Sequence, residues 1–315
     1  MFYDRHCRKF DGTILGTVAG VAILGAAMGS AIPAVAQQPG QETFPSAGRA
    51  SHALVAALKD NDESALMKIL GPDAKDIVSS GDPAEDKENR AEFVQKYQQM
   101  HRLVTEPDGK TTLYIGAENW PTPIPLEHTG NAWYFDTPAG KQEVLYRRIG
   151  RNELAVIQVC QQLVDAEKEY YGQPHDGEPD HQYAQKLMSD PGKQNGLYWQ
   201  ASAGEGESPV GPLVAQASVV NESADHNPEP FHGYYFHILT GQKGPHGTHS
   251  FIQDGKMVGG FAFIAYPAEY RSTGVMTFIV DQNGIVYEKD LGARTPEIAK
   301  TLSVYSLNKT WRKAD

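Results

Sequence analysis

Residues 272–292, STGVMTFIVDQNGIVYEKDLG, decide the fold of the C-terminal half. Two alternating apolar and polar runs flank Asn283-Gly284, and such a pair around an Asn-Gly step reads as a β-hairpin. The stretch also carries Asp281, Glu288 and Asp290, so a catalytic or metal-binding strand is the competing reading. The hairpin accounts for every residue without chemistry. Asp281 ends a strand at the turn, and Glu288 and Asp290 alternate with Tyr287 and Lys289. Upstream, GYYFHILT, HSFIQDGKMVGGFAFIAYP and GVMTFIVD keep the period of two, with Asp254-Gly255 marking a second hairpin. These runs predict an antiparallel meander, closed by a C-terminal helix that starts near Thr295-Pro296.

Before the meander lies AGKQEVLYRRIGRNELAVIQVCQQLVDAEKEYYG. Its apolar positions, from Leu145 through Ile157 to Val164, follow a helical stripe. One long helix, or two meeting near Gly150, is expected, with residues 152–171 as its firmest part. HQYAQKL adds a short helix. Residues 201–230, rich in Gly, Pro, Ser and acidic residues, form a long surface excursion.

The N-terminal half reads as helices followed by strands. SAGRASHALVAALK and ESALMKIL are helices, the second capped by Asp62 and stopped by Gly71-Pro72. SSGDPAEDKENR is expected as a polar loop, and AEFVQKYQQMHRLV as a third helix. TTLYIG and GNAWYFDT are strands separated by the proline-broken WPTPIPLE. The fold class is therefore α+β. It divides into residues 46–140, an N-terminal domain of helices then strands, and 141–315, a C-terminal domain with a long helix on an antiparallel meander.

Residues 1–36 have the form of a secretory signal peptide. Arg5, Arg8 and Lys9 precede the uncharged TILGTVAGVAILGAAMGSAI, and Ala34-Val35-Ala36 offers a small-x-small site for cleavage after Ala36. The competing reading is a retained anchor, since the apolar run nears spanning length. Cleavage leaves residues 37–45 as a mobile mature N-terminus, no stable membrane insertion, and a periplasmic or secreted chain. Cys160, the one cysteine left, falls in the helical pattern and reads as a small buried hydrophobe. The net charge of −11 argues against nucleic acid or an anionic membrane as partner.

The motifs SSGDP, WPTPIPL, WYFDTPAGKQE, RRIGRNELAVI and the run from GYYFHILTGQKGPHG to VDQNGIVYEKDLG together resemble a bacterial envelope family catalogued as domain of unknown function 2950. The resemblance covers roughly residues 40–310. It implies a secreted protein and no catalytic residues. Residues 152–292 also resemble the globular part of type IV pilin-like proteins, in which a helix lies across an antiparallel meander. Here the helix does not directly follow the leader, so a pilin-like fold is implied but not a pilus subunit. The N-terminal half is similar, more loosely, to the cone-shaped fold of nuclear transport factor 2, a fold that often forms a pocket and hosts enzymes and non-enzymes alike.

Candidate chemistry is sparse. His226, His232, His237, His246 and His249 lie close in sequence, and His246 and His249 share a glycine-rich loop, the best arrangement for a metal, with Asp254 as a carboxylate. Glu269, Asp281 and Glu288 offer carboxylate pairs of the kind glycosidases use. No G-x-S-x-G elbow occurs. Aromatic residues crowd the meander, and one face of it is expected to present Tyr235, Tyr266 and Tyr270 to a protein or glycan, with Trp120 as a second recognition strip. The expectation is a non-enzymatic envelope protein without a cofactor, acting on an envelope protein or glycan partner. A hydrolase using His246 and His249, and a small-ligand binder with a pocket in residues 46–140, are the alternatives.

Overall fold

The computed structural model describes residues 37–79, 83–201, 206–218, 228–245 and 247–314. The expected signal peptide, residues 202–205 and 219–227 of the expected excursion, and His226 and His246 lie outside the described residues. Helices come first and antiparallel strands follow, in each half of the chain, so the fold is α+β.

Helix α1 (Ala47–Lys59) starts at Ser46, whose side chain accepts from Arg49 N. Helix α2 (Glu63–Leu70) starts at Asp62, which accepts from Ala65 N, as expected for short polar residues at helix starts. A 3-10 turn (Pro72–Ala74), the short α3 (Lys75–Val78) and α4 (Pro83–Gln99) follow. Two sequence expectations change here. From Pro83 onward the expected polar loop is already α4: proline is pre-set for the first turn of a helix, and the Glu- and Lys-rich tract is a good helix former. The expected third helix stops at Gln99, and its last residues are strand β1 (His101–Thr105). Pro107-Asp108-Gly109 makes a tight turn, with Gly109 at φ 88°, and folds β1 onto β2 (Thr111–Ile115).

The first sheet runs β1-β2-β4-β5, with β4 at Leu126–Thr129, β5 at Ala132–Phe135 and the short β3 (Trp120–Pro121) paired to β2. Alternate residues of β2, Leu113 and Ile115, turn into a core with Tyr97 of α4. Ala50, Leu54, Leu66, Leu70, Ile124 and Phe135 form the main N-terminal core. The segment expected to be mobile makes defined contacts. Gln41 donates through Nε2 to the Phe135, Ile69 and Leu70 carbonyls at 2.7–3.2 Å, and Phe44 exchanges two backbone hydrogen bonds with Trp133.

Helix α5 runs unbroken from Thr137 to Tyr171, roughly 50 Å at 1.5 Å per residue. The expected division at residues 140–141 falls inside it. Asp136 caps it, accepting from Ala139 N at 3.1 Å. Its first turns stay with the N-terminal core, where Gly140 is required: a Cβ there would sit 2.5 Å from Ile124 Cγ1. From Val156 onward its buried stripe of Val159, Cys160, Leu163, Val164 and Tyr170 belongs to the C-terminal core. Cys160 is fully buried and unpaired, and burial alone pushes its thiol up to about 12.

The second sheet is antiparallel in the order β15-β13-β12-β11-β6. Its strands are β6 (Tyr234–Leu239), β11 (Ala262–Pro267), β12 (Met276–Asp281), β13 (Val286–Asp290) and β15 (Arg312–Lys313). Helix α6 (Pro212–Gln216) precedes it. Strand β7 (Gly241–Gly244) pairs with both β8 (Gly247–Ser250) and β14 (Val304–Tyr305) in a small separate sheet. The hairpin of β9 (Ile252–Gln253) and β10 (Lys256–Met257) turns on Asp254 and Gly255, both at positive φ as an Asp-Gly turn requires. Helix α7 (Thr295–Thr301) packs on β11. Residues 272–292 form the expected hairpin, β12 paired antiparallel with β13. Asp281 accepts from Asn283 N and Nδ2 at 2.9 and 3.0 Å, so it holds the turn.

Three side chains of α5 grip the loop between β11 and β12. Glu153 Oε1 accepts from Val275 N and Met276 N at 2.8 and 2.9 Å, Asn152 Nδ2 donates to Thr273 O at 2.8 Å, and Arg148 donates to Ser272 O. About four turns later, Glu167 is wholly buried and accepts from Ala184 N at 2.9 Å through Oε2, while Oε1 has no partner among the described residues. This explains why the expected HQYAQKL helix is absent. Ala184 N serves Glu167 and Tyr183 N serves Met257 O, so neither is left for a helical turn.

Glu153→Ala strips the acceptor from two backbone donors and is expected to cost about 2–4 kcal/mol in urea unfolding. Burial holds the Glu167 carboxyl well above its ordinary 4.5, against the opposing Ala184 hydrogen bond. Above pH 4.5 the unfolded chain therefore ionises Glu167 while the folded chain keeps it protonated. Stability from this group is complete below that pH and declines as pH rises toward the raised folded value, by about 1.4 kcal/mol per unit. Glu167→Gln is expected to flatten that decline in urea titrations from pH 5 upward; parallel slopes would contradict it.

Candidate functional site

The N-terminal half holds a cleft of about 300 Å³ between the helices and the Trp120–Pro125 strip. Its floor is the buried side chains of Leu54, Leu66, Leu70, Ile124 and Phe135. Half-buried Leu58, Ile77 and Phe93 form its lip. Trp120 stands at one side, 39% exposed. Polar atoms enter only from α3 and α4 (Asp76, Asp86, Asn89 and Arg90) and at Thr122 of the strip. Arg90 is directed by its partners: Nη2 donates to Val78 O at 2.7 Å and Nη1 to Asn61 Oδ1, which ties the middle of α4 to the end of α3 and to the α1–α2 turn. Ser79 Oγ donates to Asp86 Oδ2 at 3.2 Å. A concave, mostly apolar space with a few polar groups at one end is the usual form of a small-molecule site, and this one is at the small end of that range.

The sequence sets this cleft up through the strip. WPTPIP cannot continue a ladder, because its prolines lack the donor, so it leaves β3 and crosses between sheet and helices. Arg147 of α5 fixes it from behind. Nη1 donates to Pro121 O at 2.8 Å, the guanidinium carbon lies 5.2 Å from the centre of the Trp120 ring, and Nε donates to Glu143 at 2.7 Å. On the far side of the strip lies a second, polar groove of about 390 Å³ lined by Glu106, Lys110, Tyr114, Glu143 and Arg147. Thr122 and Pro123 line both spaces. Lys110 there loses hydration on burial. Its hydrogen bonds to Asp136 at 2.6 Å and Glu127 at 2.9 Å outweigh that loss and hold it up at about 12. Each cation of that groove is thus matched to carboxylates of its own surroundings.

The residues singled out in the sequence separate. Trp120 is at the cleft. Tyr266 is 2% exposed, and Tyr235 is half-buried beside it with ring centres 5.9 Å apart. Register puts Tyr235, His237, Ile264 and Tyr266 on one face of the sheet, and the C-terminal segment covers it: His237 Nε2 donates to Leu302 O at 2.7 Å. Tyr270 sits in the β11–β12 loop, and its hydroxyl donates to Asp290 Oδ2 at 3.1 Å. The three tyrosines therefore serve the sheet and its loop, while Trp120 faces a cavity. His249 is exposed on β8. Among the described residues no group of three or more His, Cys, Asp or Glu side chains is gathered as around a metal ion. Glu288 is engaged by Arg312 at 2.6 Å, and Asp281 by the turn.

The chain thus defines an α+β protein with an apolar cleft in its N-terminal half. It belongs to the family described as Protein of unknown function (DUF2950), whose pattern matches residues 41–314. No curated protein and no solved structure matches it.

Arg147→Ala is expected to lower stability by about 1–2 kcal/mol, from the lost carbonyl hydrogen bond and ring contact. Arg147→Lys is expected to recover less than half of that, since an ammonium cannot serve the carbonyl, the carboxylate and the ring together. Equal stability of the two variants in urea would contradict the role given to the guanidinium.

Proposed function

We propose that this is a secreted bacterial envelope protein of two α+β domains that works by binding and not by catalysis. Its N-terminal domain takes a small apolar ligand into the cleft. Its C-terminal domain, with a pilin-like helix on a meander, gives a rigid base through α5. The observation that carries this reading is the cleft itself: about 300 Å³ of space lined mostly by apolar side chains, among them Leu66, Leu70, Ile124 and Phe135, with its polar lining drawn from α3, α4 and Thr122. Apolar surface held open in this way favours any fitting apolar molecule by roughly 25 cal/mol per Å² removed from water. The loose likeness of the N-terminal half to the cone-shaped nuclear transport factor 2 fold, which often encloses a pocket, agrees with this use.

Secretion rests on the basic start, the uncharged run and the Ala34-Val35-Ala36 site. An envelope protein or glycan partner remains part of the proposal, with exposed Trp120 as its contact.

The fluorescence of N-phenyl-1-naphthylamine, which brightens in apolar surroundings, tests the cleft. One equivalent is expected to bind, and binding is expected to be lost in Leu66→Trp, which fills the floor, and in Ile77→Trp, which closes the half-buried lip. Unchanged binding in both variants would remove the cleft from the proposal. Sequencing the N-terminus of protein recovered outside the cytoplasm is expected to read from Gln37; a chain starting at Met1 would contradict cleavage.

A further inference from the structure

We infer that the ligand of this cleft is an alkyl chain of about ten carbons carrying a polar head, such as a medium-length acyl chain. The inference rests on the ligand-binding reading above and gives it a chemical class. Three features of the cleft point there.

The first is the character of the wall. Leu54, Leu58, Leu66, Leu70, Ile77 and Ile124 are branched aliphatics, and they outnumber the aromatic rings that face the space. A planar ring is usually held by stacking partners, and among the aromatic residues of the cleft Trp120 is engaged on its face by Arg147. Aliphatic walls place no such demand on ligand shape and suit a flexible chain.

The second is the distribution of polarity. Asp76, Asp86, Asn89 and Arg90 all come from α3 and α4, and Thr122 is the one polar residue of the strip. The floor, by contrast, brings only hydrocarbon from Leu54, Leu66, Leu70, Ile124 and Phe135. A lining whose polar side chains come mainly from one side, α3 and α4, matches a ligand with a tail and one head. It does not match a molecule with polar groups spread along its length, because each buried polar group without a partner opposes binding.

The third is size. A methylene takes about as much liquid volume as a water molecule, ~30 Å³, so a cleft of about 300 Å³ is filled by about ten.

Free fatty acids and the acyl chains of lipids share this chemistry, and the experiment separates them. The reporter is displacement of N-phenyl-1-naphthylamine from the purified full chain by straight-chain carboxylates from six to sixteen carbons. Apparent affinity is expected to rise about fourfold per methylene, the increment for burying one CH₂. It is expected to level off near ten carbons, where the cleft is full. Ile77→Trp, at a half-buried position on the lip, is expected to move that break to a shorter chain while the protein keeps a single cooperative thermal transition. A decanoyl lysophospholipid that displaces the probe as well as decanoate assigns a lipid-borne chain; displacement by decanoate alone assigns a free one. Either result supports the alkyl class.

Two results overturn the inference. One is affinity that climbs through sixteen carbons without a break and is the same in Ile77→Trp, which would mean adsorption elsewhere on the surface. The other is a probe that binds and is lost in the Trp variants but is displaced by no carboxylate. In that case the cleft stands as a ligand site and the alkyl chain is excluded from it. If the probe itself binds equally to wild type and both variants, the cleft reading falls and the inference falls with it.

Discussion

The structure depends on one unbroken helix. Thr137–Tyr171 runs from the edge of the N-terminal core, where Gly140 meets Ile124, into the C-terminal core, and its ends do different work. At the start, Asp136 caps the helix while its other oxygen accepts from Lys110, and Gly140 lets Ile124 press against the helix. In the middle, Arg148, Asn152 and Glu153 hold the β11–β12 loop by its backbone. Further on, the helix turns a mainly apolar stripe of Val156, Val159, Cys160, Leu163 and Val164 into the C-terminal core, with Glu167 and Tyr170 as its polar members. These bonds go to backbone atoms, so they fix the path of the chain and not merely its composition. A helix that bent at Gly150 would lose register with one core or the other.

The cleft follows from the same helix. The Trp120–Pro125 strip is rich in proline and can neither join the sheet fully nor coil into a helix. It is held on one side by Ile124 against Gly140 and on the other by Arg147 reaching Pro121 and Trp120. Helices α1, α2 and α4 pack on the sheet, and the strip stands off from them, leaving hydrocarbon uncovered. In close-packed interiors such a space is unusual. Keeping it requires rigid walls, and the guanidinium of Arg147, the cap at Asp136 and the carbonyl bonds of Gln41 supply them.

Much of the fold was legible in the sequence. Asn283-Gly284 and Asp254-Gly255 between alternating runs specify hairpins whatever surrounds them, and the stripe from Val156 to Tyr170 specifies a helix. The failures were of two kinds. At residues 101–105 the apolar spacing of MHRLV fits a helix and a strand alike, and only the turn at Pro107-Asp108-Gly109 decides between them. At Tyr183-Ala184 the local propensity was helical, but distant acceptors on Met257 and Glu167 took the backbone donors. No reading of the segment alone reveals that.

The site was legible only in part. Trp120 and the prolines marked the strip, and the helices-then-strands order suggested a pocket, but the leucines of α1 and α2 looked like ordinary core. Whether an apolar face is covered depends on the path of the strip, which is set by Arg147 and Gly140 from a different element. Aromatic richness pointed instead at Tyr235 and Tyr266. A sheet with one exposed face and a sheet covered by a later segment carry the same alternation, and the bond from His237 to Leu302 shows which occurs here.

Whether the N-terminal cleft takes the ligand is decided by methyl-resolved NMR of the Ile, Leu and Val side chains during titration with N-phenyl-1-naphthylamine. Binding in the cleft shifts Leu66, Leu70, Ile77 and Ile124 and leaves Val159 and Ile279 of the other core unmoved. Shifts centred on Val159 and Ile279, or spread evenly over both cores, would contradict it.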